Sequence, residues 1–148
     1  MLSVKASGDS YWMAEGLDRM GSLALSAGLL YAGGVFWTLG YDTIYALQDI
    51  EDDVMAGVKS SARALGGRVK QGVAGFYVLA VILAGAAGVA AGMGPIFYAG
   101  LALYALHLAW QAARLNPQDT TLCLRLFKSN RDAGLILLAG IAFNGLAF

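Results

Sequence analysis

The chain is nearly devoid of cysteine and histidine, with one of each, and proline occurs only twice in its 148 residues. A single cysteine, Cys123, excludes an internal disulfide and cannot build a cysteine metal site; it reads as a small apolar residue. Charge is scarce as well: charged residues make up 14% of the chain, against roughly a quarter in a soluble domain. Ten basic side chains balance ten acidic ones, so no basic field speaks for nucleic acid. The first twenty residues, with Lys5, Asp9, Glu15, Asp18 and Arg19, lack the uninterrupted apolar core of a secretory signal, and nothing there reads as a cleaved leader. Motifs for nucleophilic triads, phosphate loops and nucleotide folds are absent. There is no convincing internal repeat and no low-complexity linker.

What is abundant is apolar surface. Hydrophobic residues make up 58% of the chain and the mean hydropathy is +0.61, the signature of a membrane protein. A spanning helix needs about 20 mostly apolar residues, and four stretches qualify: Ser22–Gln48, Gly72–Gly92, Pro95–Ala113 and Gly134–Phe148. Asp42 interrupts the first, His107 sits in the third, and the last is slightly short. Residues 1–20 read as a polar lead-in and 21–148 as the spanning domain. Glycines 28, 33, 34, 75, 85, 88 and 92 suit close helix approach in lipid. The string Gly92-Met-Gly-Pro95 reads as a tight turn, with Pro95 starting the next helix. Arg114-Leu-Asn-Pro117 ends the third span. From Asp119 to Arg131, leucines alternate with Arg125, Lys128 and Arg131, which suggests a short segment lying at the membrane surface.

Lysine and arginine in short loops set orientation. The loop after the first span holds Lys59, Arg63, Arg68 and Lys70; the loop after the third holds Arg114, Arg125, Lys128 and Arg131; the turn at Met93 has none. Both basic loops are therefore expected on the cytoplasmic side of the inner (plasma) membrane.

The end of the first span is acidic. If its helix continues to about residue 54, Asp42, Tyr45, Asp49 and Asp52 or Asp53 share one stripe. A carboxylate at intramembrane depth is expensive, so Asp42 is expected to face a cavity, a partner or a metal. The plain alternative is a solvated helix end. Carboxylates clustered within one or two turns suit a hard cation such as Mg²⁺, which commonly joins carboxylates to substrate phosphates. Lys59 and Arg63 lie within reach of a phosphate's remaining oxygens, or serve only as topology signals. Such a site fits a substrate with a diphosphate head and a long apolar tail. Metal would neutralise the departing diphosphate, and rings such as Trp37, Tyr41 and Tyr45 could stabilise an allylic cation or simply pack.

The residues Tyr41-Asp42-Thr43-x-Tyr45-Ala46-x-x-Asp49-x-x-Asp52-Asp53-x-x-x-Gly57-x-Lys59-Ser60 resemble the second aspartate-rich motif of the UbiA family of membrane prenyltransferases. Within that family they are most similar to the branch that prenylates 4-hydroxybenzoate in ubiquinone synthesis. The resemblance covers about Leu25 to Phe148, including Phe127-Lys-Ser-Asn-Arg131. It implies an all-α, multi-pass bundle, here about four spans corresponding to the last four of nine. It also implies Mg²⁺ held between two aspartate motifs, with Asp49 and Asp53 as the second pair. Asp42, Tyr45, Asp52 and Lys59 are further motif positions. The implied reaction joins a polyprenyl chain from its diphosphate to the ring carbon ortho to the phenol hydroxyl of an aromatic acid.

The first motif of that family, Asn-Asp-x-x-Asp-x-x-x-Asp, does not occur in this sequence. The chain thus reads as the C-terminal half of such an enzyme, lacking an N-terminal half. The alternatives are an inactive membrane remnant or assembly partner, or a related prenyltransferase acting on a haem, chlorophyll or menaquinone precursor. Elsewhere, His107 reads as a satisfied helix histidine. Asn130 or Asp132 is expected to cap the last helix or, more sharply, to touch substrate. Asn144 is expected to bond a neighbouring helix.

Overall fold

Helices alone make up the regular structure of the computed structural model, which describes residues 2–48, 68–116 and 118–147. They are α1 (Leu2–Gln48), α2 (Val69–Ala91), α3 (Pro95–Arg114) and α4 (Thr120–Ala147). Three of these are long and apolar enough to cross a membrane: α1 over Trp12–Leu47, α2 and α3. The fourth apolar run is the C-terminal half of α4. Helix α1 packs on α2, α2 on α3, α3 on α4, and α4 returns to α1, so the helices close a ring around a shared core. Side chains such as Val78, Ile82, Leu103, Leu106 and Leu138 stand exposed on the outside, as befits helices whose solvent is lipid.

Local chemistry explains the turn between α2 and α3. Gly92 adopts a left-handed φ of 68°, which costs a residue without Cβ nothing. The Gly92 N–H reaches Val89 O at 3.1 Å and the Met93 N–H reaches Gly88 O at 2.9 Å, closing the end of α2. Pro95 then occupies the first turn of α3, where its missing N–H is no loss. Gly94, which precedes that turn, has no side chain to cap α3. Its N–H is instead satisfied from across the bundle: Asn144 Oδ1 on α4 accepts from Gly94 N at 2.8 Å and from Phe97 N at 3.4 Å. The expectation that Asn144 bonds a neighbouring helix is met in this form. Helix-start amides left bare in lipid would be costly.

Small residues set the helix spacing. An added Cβ at Gly100 would lie 2.7 Å from the Cα of Gly140, so α3 and α4 touch backbone to backbone. Gly33 packs against Ala80 O of α2, and Gly88 against the Phe97 ring. Gly28, Gly34 and Gly75, also expected to mediate close approach, face open space.

The segment after Pro117 departs from the surface element expected over Asp119–Arg131. It is the first half of α4, continuous with the last apolar run. Asp119 starts this helix, its Oδ1 accepting from the Leu122 N–H at 3.0 Å. Cys123, Leu126, Asn130 and Ala133 are buried at spacings of three and four, while Arg125, Lys128 and Arg131 turn outward on the other side, so one amphipathic face runs on without a break. Asn130 is accordingly no helix cap but lies in mid-helix. Burial, followed by the nearby Asp119 charge, pushes the Cys123 thiol pKa up, in keeping with an inert apolar role.

Two substitutions test this packing by thermal unfolding in nanodiscs. Gly100→Leu should destabilise by about 1–3 kcal/mol through overpacking, and Asn144→Leu by about 1–3 kcal/mol through the bare amide. Gly28→Ala, which meets nothing within 4 Å, should leave Tm unchanged or raised.

Candidate functional site

The C-terminal third of α1 presents two different faces. Thr43, Ile44, Ala46 and Leu47 are buried against the bundle, whereas Tyr45 on the other side is 41% exposed. Asp42 is exposed on this same open side. It therefore shares a face with Tyr45, as the helical stripe requires, and it is not enclosed by the described helices. Asp49, Asp52, Asp53, Lys59 and Arg63 lie outside the described residues. Among the described residues no group of three His, Cys, Asp or Glu side chains could hold a metal.

Aromatic rings line the way from this end of α1 into the core. Tyr45 and Phe127 of α4 lie 4.8 Å apart between ring centroids, and Phe127 meets Tyr41 at 5.8 Å. Trp37 stands edge-on to Tyr41 at 5.5 Å and to Tyr104 of α3 at 5.7 Å. The Trp37 pairs and Tyr41–Phe127 set ring edges against ring faces, as the aromatic quadrupole favours, while Tyr45 and Phe127 are tilted by 50°. Phe127 was not foreseen as part of this column. Its only sequence signal is its place beside Asn130 in the Phe-Lys-Ser-Asn string.

The column ends on a buried polar node contributed by all four helices. Trp37 Nε1 donates to Asn130 Oδ1 at 2.9 Å. Gln111 Nε2 donates to the same oxygen at 3.0 Å, and Asn130 Nδ2 returns a bond to Gln111 Oε1 at 3.1 Å. Tyr77 O–H donates to Gln111 Oε1 at 2.7 Å. Asn130 Nδ2 also reaches Leu126 O, at 3.2 Å. Gln111 Nε2 lies 3.0 Å from His107 Nδ1.

The indole nitrogen can only donate, and that fixes the whole set. Asn130 must turn its oxygen to Trp37, Gln111 must turn its nitrogen to that oxygen, and His107 Nδ1 must accept. His107 is thereby a satisfied histidine carrying its proton on Nε2. Among the described residues no buried side-chain nitrogen or oxygen lacks a partner. Asn130 and Gln111 are the features least visible in the sequence. A clue existed in Gln111, an amide one turn beyond His107 in an apolar span.

Two apolar spaces lie on the far side of Trp37. A cavity of about 220 Å³ is lined by Gly33, Gly34, Trp37, Ala80, Tyr104 and Gly134, among others. It shares Leu30, Ala84 and Ile141 with a groove of about 420 Å³ that runs on to Leu23, Met93 and Phe97. At the opposite end of the bundle, Lys70 Nζ at the start of α2 donates to Ala113 O near the end of α3 at 3.1 Å. This bond groups Arg68, Lys70 and Arg114 at one end of the bundle.

The model of the UbiA prenyltransferase family matches residues 12–141. A 4-hydroxybenzoate octaprenyltransferase of Azotobacter vinelandii is 37% identical over 121 residues, covering 82% of this chain and 41% of the relative. The corresponding enzyme of Cronobacter sakazakii is 38% identical over 128 residues, 86% of this chain and 44% of its own length. A mitochondrial 4-hydroxybenzoate polyprenyltransferase of Arabidopsis thaliana is 42% identical over 122 residues, with coverages of 82% and 30%. The chain thus spans less than half the length of these relatives. No solved structure matches it significantly.

The node makes unequal demands on its members. Tyr77→Phe removes one donor while Gln111 Oε1 keeps its bond from Asn130, so stability should fall by only about 0.5–1.5 kcal/mol. Gln111→Leu strands Tyr77 and half of Asn130 and should cost about 1–3 kcal/mol or more. Equal losses in thermal unfolding would contradict this assignment.

Proposed function

Because the chain belongs to the UbiA prenyltransferase family, we propose that it carries the second carboxylate site of a Mg²⁺-dependent prenyltransferase acting on 4-hydroxybenzoate in ubiquinone biosynthesis. The observation that carries this reading is the aromatic column Trp37–Tyr41–Phe127–Tyr45, whose last ring, Tyr45, precedes the motif position Asp49 by four residues in sequence. The relatives' names supply the acceptor, 4-hydroxybenzoate, and the polyprenyl group transferred; a diphosphate as its carrier follows from the carboxylate motif. The first carboxylate motif would come from a separate N-terminal half, for which the relatives' greater length leaves room.

Prenyltransferases of this family are generally metal-dependent, and the donor set here is of the right kind. Carboxylate oxygens are what a hard divalent cation takes, and Asp42 and Tyr45 stand on the open face of α1, a few residues before Asp49 and Asp53 in sequence. Asp49, Asp52 and Asp53 would hold Mg²⁺, which when bound offsets the charge on the diphosphate. Lys59 and Arg63 would bind the remaining diphosphate oxygens. Tyr41, Tyr45 and Phe127 would turn ring faces towards the positive charge that grows on the allylic carbon as its bond to oxygen breaks. The diphosphate leaves with the electron pair, the ring carbon of the acceptor bonds to the allylic carbon, and that ring carbon loses its proton. In this reading α1 ends on the cytoplasmic side of the inner membrane, in keeping with Arg68, Lys70 and Arg114 at that end of the bundle.

The test is transfer itself. The chain is co-expressed with the N-terminal half of the Azotobacter relative, and membranes are assayed with Mg²⁺, a polyprenyl diphosphate and 4-hydroxybenzoate. Prenylated product should form only when both halves are present. Asp49→Ala should lower turnover by at least the ~100-fold that losing even an outer partner of a metal site can cause. No product from the pair would leave the chain an inactive remnant, and full turnover by Asp49→Ala would remove Asp49 from the site.

A further inference from the structure

The Trp37 ring is fixed more firmly than a packing role requires. Its Nε1–H is committed to Asn130 Oδ1. One edge is set against Tyr41 and another against Tyr104, with interplanar angles of 85° and 82°. Beneath it lies Gly134, where an added Cβ would come within 2.9 Å of Trp37 Cη2. Asn130 cannot turn to release the indole. Both of its amide groups are engaged with Gln111, which is itself held by Tyr77 and His107. The ring stands where two environments meet: the aromatic column leading to Tyr45 on one side, and the apolar cavity of about 220 Å³ on the other.

An all-apolar core at this depth could have been built from leucine and phenylalanine, because replacing both partners of a hydrogen bond by apolar groups is often nearly neutral. Instead, polar side chains of the other three helices form one hydrogen-bonded set that ends, through Asn130, on the Trp37 ring edge. Such a fully satisfied network rigidifies what it holds.

We propose that Gln111 and Asn130 are positioning residues: through the Trp37 indole they hold a partition between the diphosphate end of the site and the apolar cavity behind it. The first isoprene unit of an allylic diphosphate then lies against a ring of fixed orientation, with its tail beyond. The inference rests on the prenyl-transfer reading above, and names residues that act on the substrate only through Trp37.

The experiment measures binding to the chain co-assembled in nanodiscs with the N-terminal half of the Azotobacter relative, by calorimetry, with Mg²⁺ present and two probes: farnesyl diphosphate and inorganic pyrophosphate, which has the head without the tail. Trp37→Phe, Asn130→Leu and Gln111→Leu should each weaken farnesyl diphosphate by about tenfold and leave pyrophosphate within about twofold. The deciding comparison is a double-mutant cycle. If Asn130 acts through the indole, Asn130→Leu adds no further loss once Trp37→Phe is in place. Independent losses in the cycle, or equal weakening of both probes, would reduce the node to general stability and overturn the proposal. Because Trp37→Phe keeps a ring in the same place, it provides a folded comparison even where Gln111→Leu is poorly stable. Pyrophosphate binding with farnesyl diphosphate insensitive to all three variants defeats the positioning role alone. A pair of halves that binds neither probe defeats the prenyl-transfer reading and this inference with it.

Discussion

A polar group inside a bilayer has no water to fall back on, and the bundle is organised around that constraint. The amide pair of Gln111 and Asn130 answers it most fully. Each amide uses its oxygen twice and its nitrogen at least twice, and the set reaches α1 through Trp37 and α2 through Tyr77. Four helices that share little more than small residues and apolar contact thereby acquire a common register. Rotating any one of them by a residue would break several bonds together, whereas apolar contacts alone would tolerate the slip. Measured hydrogen bonds in membrane bundles contribute only about 0.6 kcal/mol each on average, so the effect of the node is specificity of arrangement more than bulk stability.

The position of the node gives that specificity a direction. It lies at the inner end of an aromatic column whose outer end is Tyr45, near the C-terminus of α1. A small disturbance in the core is therefore transmitted to rings that border the candidate chemistry, not to lipid. The backbone contact of Gly100 and Gly140 plays the complementary part. By drawing α3 and α4 together it lets Gln111 and Asn130, whose side chains are short, meet face to face.

Hydropathy and the turn residues Gly92 and Pro95 made the α2 and α3 boundaries legible, since both helices are predominantly apolar. Hydropathy failed at α4. There the outward Arg125, Lys128 and Arg131 mask a buried face built from Cys123, Leu126 and Asn130, and charge looked like a surface element. The glycines show a similar limit. Composition said that close approach would occur, but Gly28 and Gly34 are indistinguishable in sequence from Gly100 and Gly140, and only the partner helix decides which are used. The family motif on α1 was readable because its spacing is local. The node was not, because Trp37, Tyr77, Gln111 and Asn130 are separated by tens of residues and meet only through the fold. Asp42 stands on the open face of α1, where the sequence could specify the stripe but not what covers it.

The bond from Asn144 to the start of α3 also has a consequence in time. Acceptor and donor are separated by 50 residues, so at ordinary rates of synthesis the Gly94 N–H is made roughly 3–10 s before its partner. During that interval the α2–α3 hairpin has an unmet donor at the edge of the bilayer and must borrow water or a lipid headgroup. Arrival of Asn144 displaces that borrowed partner, so the hairpin matures only after the chain that follows it has threaded into place.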